Sequence, residues 1–266
     1  MYRANGTYYT EEHSVSFGDL VTRTSGGYTY TEFSKVANTW TDWYLIPSSR
    51  LSVAHPTIVT KFIEVPGSDG MLDLTTYLTG RQVYGQRQGS FSFNVDNGHM
   101  YWETLRANIA NTLHGKKMKM VLLDDPNYYY EGRFTVGNWT SGASNSTIDI
   151  SYQLDPYKMK INPEGSDYPM LWDPFNFDTD YDYTLLTPNI SVSNQTKTFN
   201  IHADDYPFAP VVTRVSGTVS VTFGGVTKSV SSSHPTQTLG RASNGNNVLT
   251  VTGTGSIKIE WRGGSL

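Results

Sequence analysis

Residues 113–157 constrain the fold more than any other part of the chain. Three runs within them, residues 117–123, 128–136 and 148–154, alternate apolar and polar side chains, as half-buried strands do. His114-Gly115, just before the first run, supplies the small residue that often follows the last turn of a helix. The stretch therefore predicts a helix followed by a three-stranded antiparallel meander.

The helix itself is predicted from apolar residues upstream. Trp102, Leu105, Ile109 and Leu113 recur at helical spacing and would form one stripe. Asn97 is a candidate N-cap for this helix. One helix that covers one face of an antiparallel assembly is typical of an α+β domain.

A second class of strand is predicted between residues 57 and 65. Ile58 and Phe62 fall on one face of an extended chain, while Val59 and Ile63 fall on the other. Strands with apolar side chains on both faces usually lie between two layers, so we expect this segment to be buried.

The chain is predicted to contain two domains, 1–165 and 166–266, because Pro and Gly bracket a polar run at residues 161–167. The expected fold class is mainly β with one helix: an N-terminal α+β domain followed by a C-terminal β-sandwich. The sandwich is predicted from about seven short strands with Gly, Asn or Ser between them. These strands are residues 184–192, 195–201, 210–215, 218–223, 226–230, 247–251 and 256–261.

Composition and charge exclude several classes of protein. The chain has no cysteine, so disulfides and thiolate chemistry are excluded. Its formal net charge is −4, and no basic run exceeds Lys116-Lys117, which argues against nucleic-acid binding. We find no secretory signal and no apolar run long enough to cross a bilayer. We therefore expect that the chain does not insert into a membrane and that it is made in a cytoplasm.

We also predict that the chain is not an enzyme and holds no cofactor or metal. The six histidines are scattered, and no metalloprotease, nucleotide-binding or hydrolase motif occurs. The acidic residues 178–182 have the alternation of a calcium loop. However, Tyr183 replaces the glycine expected at the sixth position and Asn189 replaces the glutamate expected at the twelfth. A solvated acidic loop is therefore favoured over a metal site.

Aromatic residues provide the candidate binding sites. In the run Tyr128-Tyr129-Tyr130 only Tyr129 is predicted to be exposed, because its neighbours share the apolar face. Trp40 and Trp43 have two interpretations: a loop packed on its own domain, or anchors of a subunit contact. Under the second interpretation the predicted subunit interface consists of Tyr8, Tyr9, Trp40, Trp43, Tyr44 and Arg50.

Several short motifs follow one another in an order that resembles a known family. They are Val65-Pro66-Gly67-Ser68-Asp69-Gly70, Leu72-Asp73-Leu74-Thr75, Leu113-His114-Gly115-Lys116-Lys117, Asp124-Asp125-Pro126, Tyr128-Tyr129-Tyr130-Glu131-Gly132-Arg133, Asp155-Pro156-Tyr157-Lys158 and Trp261-Arg262-Gly263-Gly264-Ser265-Leu266. In this order the chain resembles the distal tail (Dit) proteins of siphophage-type bacteriophages and prophages.

The resemblance implies a structural protein of the virion, located at the phage tail tip and assembled in the bacterial host cytoplasm. It implies a ring-forming N-terminal domain with a β-sandwich, a helix and a hairpin, and a galectin-like or carbohydrate-module-like C-terminal sandwich. The implied partners are other copies in a homohexameric ring, the tail tube protein and the tail-tip or tail-associated lysin protein. A receptor-binding protein or host cell-wall polysaccharide is a further implied partner.

The alternative hypothesis is a carbohydrate-binding module that contacts host cell-wall glycans directly. A galectin-type sugar site needs a set of His, Asn, Arg, Trp and Glu side chains. We could not match that set between Tyr168 and Leu266.

Overall fold

The structure is a computed structural model, and its described part consists mainly of β-strands with a single α-helix. Its described residues are 2–4, 7–9, 13–25, 28–96, 101–142, 146–162, 164–165, 189–203, 206–243 and 245–266. The helix is α1 (Trp102–Leu113). The predicted fold class, mainly β with one helix, is confirmed.

The strands are numbered in chain order, and their bounds are as follows. They are β1 (Tyr2–Ala4), β2 (Thr7–Tyr9), β3 (Val15–Ser25), β4 (Tyr28–Asn38), β5 (Leu45–Pro47), β6 (Ile58–Val59), β7 (Phe62–Glu64), β8 (Met71–Asp73), β9 (Val83–Tyr84), β10 (Arg87–Val95), β11 (Lys117–Leu122), β12 (Tyr128–Ser141), β13 (Ser146–Leu154), β14 (Lys158–Lys160), β15 (Glu164–Gly165), β16 (Ile190–Ala203), β17 (Val211–Phe223), β18 (Val226–Val230), β19 (Thr236–Thr238), β20 (Gly245–Trp261) and β21 (Gly264–Ser265).

The chain divides into two compact units. The first unit comprises Met1–Asp19, Lys35–Lys158 and Leu266, and the second comprises Leu20–Ser34 and Met159–Ser265. The domain boundary at residue 165, argued above from the linker composition, stays a prediction.

The first unit contains strands of a broad antiparallel sheet with strand order β4-β3-β11-β12-β13-β10-β5, and of β3 and β4 only residues 15–19 and 35–38 fall in this unit. The alternation in residues 113–157 decides which face of β11, β12 and β13 is buried, since Met120, Phe134 and Ile150 all lie in the core. In the register, Met120 pairs with Tyr130 on one side and with Phe17 on the other. The predicted helix and three-stranded meander are therefore confirmed.

The helix α1 covers the core with the predicted stripe. Trp102, Leu105, Ile109 and Leu113 are its buried residues. Gly115, one residue past the C-cap, has φ +74°, a left-handed conformation that glycine adopts without a steric penalty. The candidate N-cap Asn97 lies outside the described residues.

Residues 57–85, here called the arm, contradict the prediction of a strand buried between two layers. The arm consists of two short two-stranded ladders, β6 with β9 and β7 with β8. Ile58, Val59 and Phe62 are all exposed. Apolar side chains on both faces indicated burial, but no second layer covers the arm among the described residues.

The second unit contains a six-stranded sheet, and buried residues of its strands belong to a separate core. The central strand β20 pairs with both β16 and β17. Alternate residues of β17 and β20, such as Val221, Phe223, Val251 and Ile259, are fully buried.

The predicted strand boundaries in the second unit are wrong in one respect. Each of three pairs of predicted short strands forms one continuous strand in the structure, and these strands are β16, β17 and β20. The first predicted strand begins at residue 184, outside the described residues. Gly253 lies between the two predicted strands that are continuous in β20. Its φ is +116°, and it lies opposite the irregularity between Ser193 and Gln195, where the ladder bends and then continues.

Candidate subunit interface

The arm carries the largest group of exposed apolar side chains in one segment of the described chain. Phe62 is 51% exposed, Met71 is 65% exposed and Leu78 is 90% exposed. The other exposed members are Ile58, Val59, Ile63, Val65, Leu72 and Tyr77. Contiguous exposed apolar side chains of this kind usually mark a surface that contacts another protein.

A framework of hydrogen bonds holds the arm in its extended shape. The Leu74 amide donates to the Lys61 carbonyl at 2.8 Å, and the Lys61 amide donates to Thr75 Oγ1 at 3.1 Å. Near the base of the arm, Gln82 Nε2 donates to the Val59 carbonyl at 2.9 Å. Isolated two-stranded ladders are marginally stable in water, so the arm depends on its attachment to the sheet.

That attachment is a clamp formed by Arg87 and Tyr152 on the two sides of Ala54. Arg87 Nη1 donates to the Ala54 carbonyl at 2.9 Å, and the Ala54 amide donates to the Tyr152 hydroxyl at 3.0 Å. Arg87 Nε also donates to the Pro156 carbonyl at 2.7 Å. Because Ala54 precedes the arm and Arg87 follows it, the clamp joins the two ends of the arm.

Arg87 is a buried cation whose partners are neutral groups. The residue is 2% exposed, and its guanidinium carbon lies 5.5 Å from the centroid of the Tyr130 ring. Burial lowers the pKa of Arg87, while the electrostatic effect of Tyr130 opposes that change. An arginine stays charged in proteins, so the clamp consists of charge-assisted hydrogen bonds. Nη2 has no hydrogen-bond partner in the described chain.

Three members of the predicted interface lie on the surface of the first unit. Trp40 is partly exposed, and its amide donates to Asn38 Oδ1 at 2.8 Å. Tyr44 is 53% exposed and has φ 54°. Arg50 is exposed, and its Nε atom lies 3.8 Å from Asp124 Oδ2. Their assignment to a subunit contact stays a prediction.

Trp43 differs from the rest of the predicted set, because its ring is already covered within its own chain. It is 1% exposed, and its ring centroid lies 5.8 Å from that of Phe17. Asn38, buried nearby, fixes the loop by donating through Nδ2 to the hydroxyls of Ser14 and Ser16. Of the two interpretations of Trp43, its burial supports the first, a loop packed on its own domain, while its assignment to a subunit contact stays a prediction.

Tyr8 and Tyr9 belong to β2, in the short ladder with β1. Tyr9 pairs with Tyr2, and Tyr8 pairs with Arg3. Their predicted role in a subunit contact rests on the sequence.

The prediction that Tyr129 is exposed is wrong. Tyr129 is 6% exposed, and Lys119 Nζ lies 5.8 Å from the centroid of its ring. Tyr128 is partly buried and has Lys158 Nζ at 4.4 Å from its ring centroid, so a cation already occupies that face. The three tyrosines consequently offer no open stacking platform for a sugar.

Two further features bear on other classes of function. No cluster of three or more His, Cys, Asp or Glu side chains suited to a metal ion occurs in the described part of the chain. The acidic residues 178–182 lie outside that part. None of the described helices is both long and apolar enough to span a membrane.

The arm and the clamp were not predicted from the sequence. A signal for the arm was present, since the turn Pro66-Gly67-Ser68-Asp69-Gly70 separates two short apolar runs of hairpin type. Nothing in the sequence distinguished Arg87 from a solvated arginine, because its partners are backbone carbonyls distant in the chain.

Comparison with known proteins identifies the fold. No protein-family model matches the sequence, and no curated protein matches it either. Among solved structures, the crystal structure of SPP1 Dit (gp 19.1) matches with a TM-score of 0.53 and 13% sequence identity. The match covers 84% of this chain and 94% of that one.

The chain has a Dit-like fold. SPP1 Dit is described as a paradigm of the hub adsorption apparatus in phages that infect Gram-positive bacteria. The predicted resemblance is thus confirmed in three dimensions. This structural neighbour is a hub protein and not an enzyme, in agreement with the non-catalytic prediction.

Proposed function

We propose that this chain is a structural hub protein of a phage tail tip, and that it assembles with copies of itself into a ring. The arm carries this proposal. A protein that remained a monomer would expose Phe62, Met71 and Leu78 to water. Covering one such side chain contributes about 1.5–3 kcal/mol, so several per contact can stabilise an assembly.

A ring follows from the kind of contact that the arm can make. In the proposed ring, the arm is one patch and a different surface of the neighbouring copy covers it. Such a head-to-tail contact repeats from copy to copy until the rotation closes. The Dit resemblance favours six copies, and Tyr8, Tyr9, Trp40, Tyr44 and Arg50 are the further residues that we assign to the contact.

Within the virion, this ring would join the tail tube protein to the tail-tip or tail-associated lysin protein. We propose that the second unit is a galectin-like sandwich that docks receptor-binding proteins and so serves host attachment. Its long paired strands and its own core support an independent role.

The test is native mass spectrometry and electron microscopy of the full chain at rising protein concentration. We expect closed rings from the wild type. A variant in which residues 60–82 are replaced by Gly-Ser-Gly should remain a folded monomer, because the core of the first unit includes none of those residues. A wild-type chain that stays monomeric throughout would contradict the ring.

The domain boundary has its own test. We expect residues 166–266, expressed alone, to unfold in one cooperative thermal transition, because the core of the second unit draws its buried residues from Ile190 onward. A fragment with no cooperative transition would contradict a boundary at residue 165.

A further inference from the structure

A groove of about 980 Å³ lies in the first unit beside the exposed face of α1. The helix contributes Ala107, Asn108 and Asn111, and the strands contribute Val36 and Met118. Val36 is 62% exposed on β4, which is the last strand in the order of the sheet. Val36, Ala107 and Met118 therefore give the groove some apolar surface, and Thr104, Asn108, Asn111 and Thr112 add uncharged polar side chains.

Cations line the remaining part of the groove. Lys116, Lys117 and Arg133 all border it. Lys117 Nζ is paired with Glu131 at 2.7 Å, which raises the pKa of Lys117. Lys116 and Arg133 instead donate to the backbone carbonyls of Asn111 and Gly115. Neither forms an ion pair with a described carboxylate, so both charges remain available to an acidic partner.

The outer part of the arm has the complementary character. Glu64, Asp69 and Asp73 are exposed, and no Lys, Arg or His occurs between residues 62 and 80. Hydrogen bonds from Thr75 lower the pKa of Asp73, so its carboxylate is ionised at neutral pH. Phe62 and Met71 add exposed apolar surface beside these carboxylates. This tip is thus acidic and apolar, whereas the groove is basic and is lined by both apolar and uncharged polar side chains.

We infer that the tip of the arm of one copy binds the groove beside α1 of the next copy. This inference rests on the ring assembly proposed above and names the two patches that meet. Every copy carries both patches on its first unit, as a repeating head-to-tail contact requires. Opposite charges on the two patches fix which surfaces meet and speed their encounter.

Charge reversal on each side tests the pairing. The groove variant carries Lys116→Glu and Arg133→Glu, and the tip variant carries Glu64→Lys and Asp69→Lys. Each should weaken assembly by roughly tenfold or more, because like charges then face each other. A chain with all four substitutions restores opposite charges and should assemble again. That recovery also shows that neither parent variant failed through misfolding.

Cross-linking provides an independent measurement, since the natural chain contains no cysteine. A chain with Asp69→Cys and Val36→Cys, assembled and then oxidised with copper–phenanthroline, should give a ladder of covalent oligomers. The control chain combines Asp69→Cys with Lys228→Cys, an exposed strand residue of the second unit, and should give no ladder.

The outcomes separate this inference from the ring itself. If the wild type forms rings while both charge-reversed variants assemble normally and the Asp69–Val36 pair gives no ladder, the arm binds elsewhere and the pairing is wrong. If the wild type forms no oligomer at all, the ring and the pairing both fail.

Discussion

The arm and the strand that follows it, β10, both contain phenylalanines, but these side chains are exposed in the arm and buried in β10. Phe93 on β10 is fully buried, because β13 and β5 flank its strand and the core lies beneath it. Phe62 on β7 is 51% exposed, because among the described strands β7 pairs with β8 alone. The difference shows that apolar alternation predicts burial only where a wide sheet and a covering layer are present.

The comparison also separates two uses of apolar surface. Residues in the sheet stabilise the fold of one chain. Residues in the arm are exposed and contribute little to that fold. Substitutions in the two regions should therefore have different effects on unfolding and on assembly.

The largest effect on stability is expected in the sheet. Phe134→Ala removes a fully buried ring that lies 4.9 Å from the Phe17 centroid, and it should lower the free energy of unfolding of the first unit by about 3–5 kcal/mol. Urea denaturation followed by tryptophan fluorescence measures this change. A loss below about 1 kcal/mol would mean that the core collapses around the cavity.

An intermediate effect is expected at the junction between the two regions. Arg87→Met removes the hydrogen bonds to Ala54 and Pro156 and should cost about 2–3 kcal/mol. Amide hydrogen exchange in residues 57–85 should accelerate more than exchange in β10–β13. Arg87→Lys is the matched control, since it keeps the charge but lacks the planar set of donors, and it should give a smaller change in the same direction.

The clamp would be disproved by one pattern of exchange. If Arg87→Met lowers the stability of the whole first unit but accelerates amide exchange in the arm and in the sheet by the same factor, Arg87 acts only through packing.

The smallest effect on stability is expected in the arm. The double substitution Phe62→Ser and Met71→Ser should change the free energy of unfolding of the monomer by no more than about 0.5 kcal/mol, because both side chains are exposed. The same variant should lose ring assembly in native mass spectrometry. Val248→Ser, which alters an equally exposed residue of β20, is the control and should assemble normally.

Normal rings from the Phe62 and Met71 variant would place the contact elsewhere on the first unit. The surface residues Trp40, Tyr44 and Arg50 would then be the next candidates.

The local sequence pattern was sufficient to predict much of the secondary structure and burial of the first unit. The stripe Trp102, Leu105, Ile109 and Leu113 predicted α1, and alternation predicted which residues of β11, β12 and β13 are buried. These features depend on helical and strand periodicity alone, so a single sequence contains them.

Features that depend on distant partners were missed or misassigned. Tyr129 lies on the predicted outer face, yet the side chain of Lys119 from the neighbouring strand lies over its ring. Trp43 lies in a loop without periodicity, and the hydrogen bonds of Asn38 to Ser14 and Ser16 fix that loop against the core. Neither contact can be recognised from spacing along the chain.

By itself the sequence determined the fold class, the helix, the buried faces of the central strands and the resemblance to the distal tail proteins. Only the tertiary structure decided that residues 57–85 stand free of the core and that Arg87 joins the ends of this arm. The physical reason is that periodicity reports which side chains share a face. Whether a face is buried depends on which layer packs against it, and that layer comes from residues far away in the sequence.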